Sequence, residues 1–310
     1  MLKIGVIGAG TMGQHHIRVL SQMKDVNLIG IADVAEDRIK KLGEQYKTNY
    51  YTDYKKLLKE KPDAISIALP TVMHRDAVVE SINSGINVFV EKPVADSLES
   101  ADEMIRKAEE NNVKLMVGHI ERFNPVVLKL KEEIEAGNLG NVVSMSTVRV
   151  GPYNPRIRDV GIITDLGVHD IDIMHYLYGE KISSVHAYAG SVIHKFEDYA
   201  TILAGFNNGH SGVIETNWLT PHKTRTLTVT GTDAIAYADY IEQTLKICNK
   251  RGETHIKIEK KEPLASELTN FVSAVKEDKT PLVTGRDGRN AVEVALAAIK
   301  SYKENKTIIL

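Results

Sequence analysis

Nine residues near the middle of the chain, Thr164-Asp165-Leu166-Gly167-Val168-His169-Asp170-Ile171-Asp172, place a histidine four residues after one carboxylate and three before another. On an α-helix that spacing brings Asp165, His169 and Asp172 to one face. Histidine is the side chain best poised to accept a proton near neutral pH, and a carboxylate one turn away would orient the imidazole and raise its basicity. Two other readings use the same residues. Carboxylate–histidine–carboxylate could bind a metal, although one helix rarely supplies three ligands and no HExxH or cysteine-rich partner is present. The group could equally be a packed histidine between solvated aspartates.

A second chemical group stands at the start. Lys3-Ile4-Gly5-Val6-Ile7-Gly8-Ala9-Gly10-Thr11-Met12-Gly13 runs from a buried apolar strand into a helical pattern, with glycines at 8, 10 and 13. In a turn that holds a dinucleotide, Gly8 permits the tight bend, Gly10 lets backbone approach the pyrophosphate, and Gly13 lets helix lie close on strand. The phosphates would meet unpaired N–H groups at the helix start. A second strand, Val26 to Ala32, ends at Asp33, which lies 20 residues after Gly13. That is about the ~20-residue offset at which a carboxylate reaches the adenosine ribose. A structural turn in another doubly wound sheet and an S-adenosylmethionine site are the competing readings. Lys92, in Glu91-Lys92-Pro93, follows another strand; an ammonium there could neutralise a substrate oxygen, or it could be a plain surface lysine. His15 and His16 fall early in the first helix, where packing outranks catalysis.

The elements that would position these groups change character along the chain. Strands and helices alternate to residue 118, which predicts a parallel sheet with helices on both faces. Its strands would end at Gly8, Asp33, Pro70-Thr71, Glu91-Lys92 and Gly118-His119, the side on which such sheets bind ligands. Beyond His119 come a helix, 125–136, a strand, 142–150, a loop with Pro152 and Pro155, and a helix, 162–178. Seven strand-like runs follow (182–190, 199–206, 211–218, 224–230, 234–238, 244–248, 254–258), predicting a mostly antiparallel sheet. Helices 264–275 and 289–303 close the chain. The expected domains are 1–120 and 121–310.

At 310 residues, 43% hydrophobic and 26% charged, the chain is globular in composition and long enough for two domains. A net charge of −2 gives no nucleic-acid footprint. No run approaches the ~18 apolar residues of a membrane span, and the apolar start lacks a secretion signal's basic flank. Cys248 is the single cysteine, so no internal disulfide forms, which suits the cytoplasm.

The strand with Gly8, Gly10 and Gly13, the Glu91-Lys92-Pro93 tripeptide and Asp165-x-x-x-His169 together resemble the glucose–fructose oxidoreductase/inositol dehydrogenase/rhizopine catabolism (Gfo/Idh/MocA) family. The resemblance spans essentially the whole chain. It implies a Rossmann domain followed by an α/β domain with a mostly antiparallel open sheet, whose exposed face makes homodimers or homotetramers. It implies an enzyme, a dehydrogenase of sugar or cyclitol hydroxyls, with Lys92, Asp165 and His169 catalytic: His169 as general base, Lys92 holding the hydroxyl and Asp165 supporting both. Gly8, Gly10, Thr11, Met12, Gly13, Asp33, Arg38, Thr71, His74 and Glu91 would contact the cofactor. Asp33 favours NAD over NADP by repelling a 2′-phosphate, and Arg38 tempers that preference.

Arg122, Asn124, Arg158, Trp218, Lys223 and Arg225 are the candidate substrate residues; arginines suit phosphate or carboxylate. The run from Asn217 to Arg225 resembles members acting on nucleotide sugars, although a solvated sheet-edge turn has the same composition. The preferred substrate is a UDP-N-acetylhexosamine oxidised at its 3-hydroxyl. An inositol or aldose dehydrogenase, an NAD-dependent glycosidase and a non-catalytic dinucleotide sensor are the alternatives, and neither metal, nucleic acid nor membrane is expected as a partner.

Overall fold

The computed structural model describes residues 1–155 and 160–310. Two compact units divide the chain: residues 1–120 with 262–289, and residues 121–261 with 290–310.

In the first unit, β1 (Leu2–Ile7), β2 (Val26–Ala32), β3 (Asn49–Tyr51), β4 (Ala64–Ile67), β5 (Asn87–Glu91) and β6 (Leu115–Gly118) form one parallel sheet in the order β3-β2-β1-β4-β5-β6. Helices α1 (Thr11–Gln22), α2 (Glu36–Tyr46), α3 (Tyr54–Lys59), α4 (His74–Asn83) and α5 (Leu98–Glu110) make the crossovers. Central strands read as nearly continuous apolar runs because both faces are covered; Ile4, Val6, Ile65, Ile67, Val88 and Val90 are fully buried. The order of strands reverses between β1 and β4, the crevice where such sheets take their ligands. β3 escapes sequence reading because it is a three-residue edge strand, Asn-Tyr-Tyr, without apolar alternation.

The expected boundary at 120/121 is not the whole division. Residues 262–289, expected in the second domain, belong to the first unit. The helix Pro263–Lys276 buries Leu264, Leu268, Phe271 and Val272, and Phe271 meets Phe89 of β5 edge-on at 5.7 Å. Its apolar stripe is covered by side chains from a unit that begins more than a hundred residues earlier, a pairing that no local pattern encodes.

The second unit is built on a nine-stranded sheet. Its strands are β7 (Val142–Pro152), β8 (Ile182–Gly190), β9 (Tyr199–Phe206), β10 (Ser211–Asn217), β11 (Leu219–Gly231), β12 (Ala234–Asp239), β13 (Thr244–Asn249), β14 (Gly252–Ile256) and β15 (Ile308–Ile309), in the order β14-β13-β12-β11-β7-β10-β9-β8-β15. Every pairing is antiparallel except β7 with β10. β11 begins earlier than its apolar pattern suggests, and its register with β7 shifts between Leu219 and Thr224. Pro221 lies in that interval, and a residue without an N–H is accommodated where the ladder is interrupted.

Helix α6 (Pro125–Glu135) is started by Asn124, whose side chain accepts from the Val126 N–H at 3.2 Å, with proline at the first helical position. The predicted helix 162–178 is two pieces: a π-helical turn, Ile163–Gly167, and α7 (Val168–Tyr178), closed by Gly179 at φ +71. No described helix is long and apolar enough to cross a membrane.

Candidate active site

The glycine turn has the backbone its spacing predicts. Gly8 sits at φ +92, and a Cβ there would lie 2.4 Å from the Ala68 carbonyl oxygen at the end of β4. A Cβ on Gly13 would lie 1.9 Å from the Gly8 carbonyl, so α1 can approach β1 only with glycine there. Gly10 is different: a Cβ would meet nothing of the protein within 4 Å. Glycine at that point keeps space open in front of the start of α1, where Thr11 is exposed and Met12 half-buried. Asp33 closes the other side of the turn. Its Oδ2 accepts from the Ala9 N–H at 2.7 Å and its Oδ1 from the Ala35 N–H at 2.8 Å, leaving lone pairs on both oxygens for ribose hydroxyls. Arg38, half-exposed, approaches Asp33 at 3.6 Å. An open backbone cradle at a helix start, with an anchored carboxylate beside it, fits a dinucleotide.

Two residues expected at the cofactor turn inward. His74 is 1% exposed: Nδ1 faces the carbonyl oxygens of Pro93 and Val94 at 3.0 and 3.3 Å, and Nε2 faces that of Leu69 at 2.9 Å. Burial lowers its pKa, and the pull of those carbonyls in the other direction is the smaller effect. Glu91 is 9% exposed, with its carboxylate bound to His16. Thr71 opens a short 3₁₀ turn, Thr71–Met73, after β4, and Lys92 is half-buried between Glu91 and Pro93.

In the second unit Asp165 falls in the π-helical turn and His169 in the first turn of α7, 8% exposed. The expected single α-helical face is therefore corrected, because the winding changes between the two residues. Asp172 is oriented by an ion pair: Arg122 Nε and Nη2 donate to its two oxygens at 2.8 and 2.6 Å, both side chains being buried. Among the described residues, no group of three His, Cys, Asp or Glu side chains is arranged to hold a metal.

Beside His169 the structure reveals a charge cluster that the sequence pattern does not announce. Arg149 is 1% exposed, donates from Nε and Nη2 to the two oxygens of Asp170 at 2.9 and 3.0 Å, and donates from Nη1 to Glu121 Oε1 at 2.6 Å. Its guanidinium lies 5.1 Å from the centre of the Tyr240 ring. Burial favours the neutral forms of Asp170 and Glu121. At Glu121 burial is the largest single effect, but Arg149, Arg225 and the hydrogen bonds from Arg149 and Asn124 together outweigh it and the pKa is lowered; at Asp170 burial wins and the pKa stays raised. One signal does point to it: Arg149 occupies an inward position of β7, in step with buried Met145 and Thr147. A charge there demands buried partners.

The expected substrate residues separate into two groups. Arg122 and Asn124 are buried; Asn124 caps α6 and donates to the Tyr240 carbonyl at 3.1 Å. Trp218 is 3% exposed, packed against Tyr153 at 5.6 Å and His194 at 5.3 Å, so its faces are covered by the protein's own rings. Lys223 is exposed on β11. Arg225 is partly exposed, 3.6 Å from Glu121 and within the field of Asp165; burial and then Arg149 lower its pKa. Arg158, with Arg156, lies outside the described residues.

Residues 2–119 match the model of an oxidoreductase family with an NAD-binding Rossmann fold, and residues 127–237 match the GFO/IDH/MocA C-terminal domain. The chain belongs to this family of NAD-dependent dehydrogenases of sugars and polyols. It is similar to the rhizopine catabolism protein MocA of Rhizobium meliloti, 30% identical over 68% of this chain and 70% of that one. Myo-inositol 2-dehydrogenase of Thermotoga maritima is 29% identical over 100% of this chain and 98% of its own length. The structure of UDP-N-acetylglucosamine 3-dehydrogenase from Acidithiobacillus ferrooxidans superposes with a TM-score of 0.91 at 26% identity, covering 98% of both chains.

Proposed function

We propose that the protein oxidises the 3-hydroxyl of a UDP-linked N-acetylhexosamine with NAD in the cytoplasm. The observation that carries the substrate choice is Arg225, a partly exposed guanidinium on the strand that also exposes Lys223. Such cationic groups suit a substrate bearing phosphates, and the fold-wide likeness to a UDP-N-acetylglucosamine 3-dehydrogenase supports the same choice. NAD, when bound, would supply the acceptor for a hydride from the substrate carbon. His169 takes the hydroxyl proton, Lys92 stabilises the oxygen as that proton leaves, and Asp165 tunes the charge around them. Asp33 and the turn from Gly8 to Gly13 hold the dinucleotide.

The second reading is an inositol or aldose dehydrogenase, favoured by the 29% identity to myo-inositol 2-dehydrogenase. Purified protein is incubated with NAD and a panel of UDP-sugars, free inositols and aldoses while NADH formation is followed. Turnover of UDP-N-acetylhexosamines alone supports the proposal; turnover restricted to unphosphorylated polyols overturns the nucleotide-sugar choice. Glycoside release without net NADH would instead identify an NAD-dependent glycosidase. His169→Ala should lower kcat by about 10²–10⁴, the range for losing a general base.

For assembly, the proposal is a homodimer or homotetramer formed through the outer sheet face. Leu203 and Val213 are cross-strand neighbours there and are both exposed, as are Tyr188 and Tyr237. Sedimentation of wild type and Leu203→Glu tests this, with a monomeric wild type as the refuting result.

A further inference from the structure

We propose that His16 is a positioning residue for Lys92, acting through the carboxylate of Glu91. The inference rests on the reading that Lys92 serves the reaction. His16 is 0% exposed on α1, and it joins three elements of the first unit. Its Nδ1 lies 2.7 Å from Ser66 Oγ on β4, and its Nε2 lies 2.9 Å from Glu91 Oε1 at the end of β5. The other carboxylate oxygen of Glu91 accepts the backbone N–H of Lys92 at 3.3 Å. An ionised carboxylate only accepts, so His16 must donate from Nε2. A neutral ring then accepts at Nδ1 from the Ser66 hydroxyl, and every partner in the line is satisfied.

The order serine–histidine–carboxylate has the connectivity of a hydrolytic triad, but its chemistry is closed off. Ser66 and His16 are both fully buried, so no substrate reaches the hydroxyl. What the line can do is fix geometry. Phe89 packs edge-on against the imidazole, with ring centres 5.3 Å apart, and holds the plane that aims Nε2 at Glu91. On the far side of Lys92, His74 holds the carbonyls of Pro93 and Val94. Residue 92 is thereby bracketed by two buried imidazoles. One of them stands on the same helix whose start faces the dinucleotide cradle, so a single rigid element sets both the cofactor's phosphates and the lysine's backbone.

Hydrogen exchange separates this role from mere packing and needs no substrate. Glutamine at position 16 can put an amide N–H near the place of Nε2, whereas asparagine reaches only the place of Nδ1. In His16→Asn, exchange in the segment 89–94 should rise by about tenfold, the size expected for losing one hydrogen bond, and His16→Gln should restore most of the protection. On whichever sugar substrate the panel identifies, His16→Asn should lower kcat while leaving the KM for NAD near its wild-type value, again rescued by His16→Gln. Equal exchange in the two variants, or a rise spread evenly through both units, overturns the proposal. Should His16→Asn not fold, Ser66→Ala frees the ring at one end and should raise exchange in the same segment alone; no local rise there also overturns it. If Lys92→Ala leaves turnover intact, the catalytic reading of Lys92 fails, while the exchange result still decides whether His16 orders the turn.

Discussion

The two units hold their chemical groups by opposite means. In the first, backbone does most of the holding: glycines without side chains, N–H groups on Asp33, and carbonyls on His74. In the second, side chain holds side chain: Arg149 grips Asp170 and Glu121, and Arg122 grips Asp172, all of them buried. The contrast matches the work proposed for each part. Phosphate and ribose groups are common to every dinucleotide, so a rigid backbone cradle suffices. A proton acceptor needs one exact placement of its helix, and α7 carries Asp170 directly after His169 and Asp172 three residues on. Those two carboxylates point into the unit and tether the helix there.

The comparison breaks most sharply at Arg149. Arg149→Met leaves Asp170 buried without its cation and Glu121 with only Arg225, 3.6 Å away, and chemical denaturation should show a loss of about 3–5 kcal/mol. Adding Asp170→Asn and Glu121→Gln should recover a large part of it, because replacing a whole buried ion cluster costs far less than orphaning one member. If the single variant is as stable as wild type, side-chain pairing does not hold this unit.

Next in size is Gly13→Ala, whose Cβ would meet the Gly8 carbonyl. Forcing helix from strand should cost about 1–3 kcal/mol in denaturation and weaken dinucleotide binding as well. Gly10→Ala sharpens the contrast, since its Cβ meets no protein atom. Stability should stay within about 0.5 kcal/mol of wild type, the range for substitutions that disturb no contact, while NAD affinity measured by calorimetry falls. Equal loss of stability in both variants would mean that Gly10 serves the fold and not the cradle.

The smallest effect is the pH response of His74. Its folded pKa lies below the ordinary 6.5, so the unfolded chain binds the proton more readily. Stability linked to the neutral ring is complete above pH 6.5 and falls as pH drops from there through the folded value. His74→Gln should flatten that segment of the stability–pH curve. An unchanged curve would show that folding does not alter the ring's affinity for a proton; a change of the opposite sign would show that the three carbonyls outweigh burial.

Much of the molecule is legible in its amino-acid order. The glycine turn, Asp33 and the alternation of strand and helix depend on neighbours close in sequence, where backbone sterics and a two- or 3.6-residue period act directly. The strands 182–190 and 199–206 are readable for the same reason. The harder residues share a different property. Trp218 reads as an available ring and is packed away, and His16 reads as a packed residue and lies in line with Glu91. In both cases the deciding neighbour lies tens of residues away.

Sequence alone determined which backbone conformations were possible and where a strand–glycine turn–helix had to form, because glycine's freedom and strand–helix periodicity are local properties. Only the tertiary structure decided which arginine answers which carboxylate, that residues 262–289 return to the first unit, and that the helix of His169 opens with a π turn. Ion pairs and buried stripes are chosen by desolvation, and a charge is desolvated only once elements distant along the chain have closed over it.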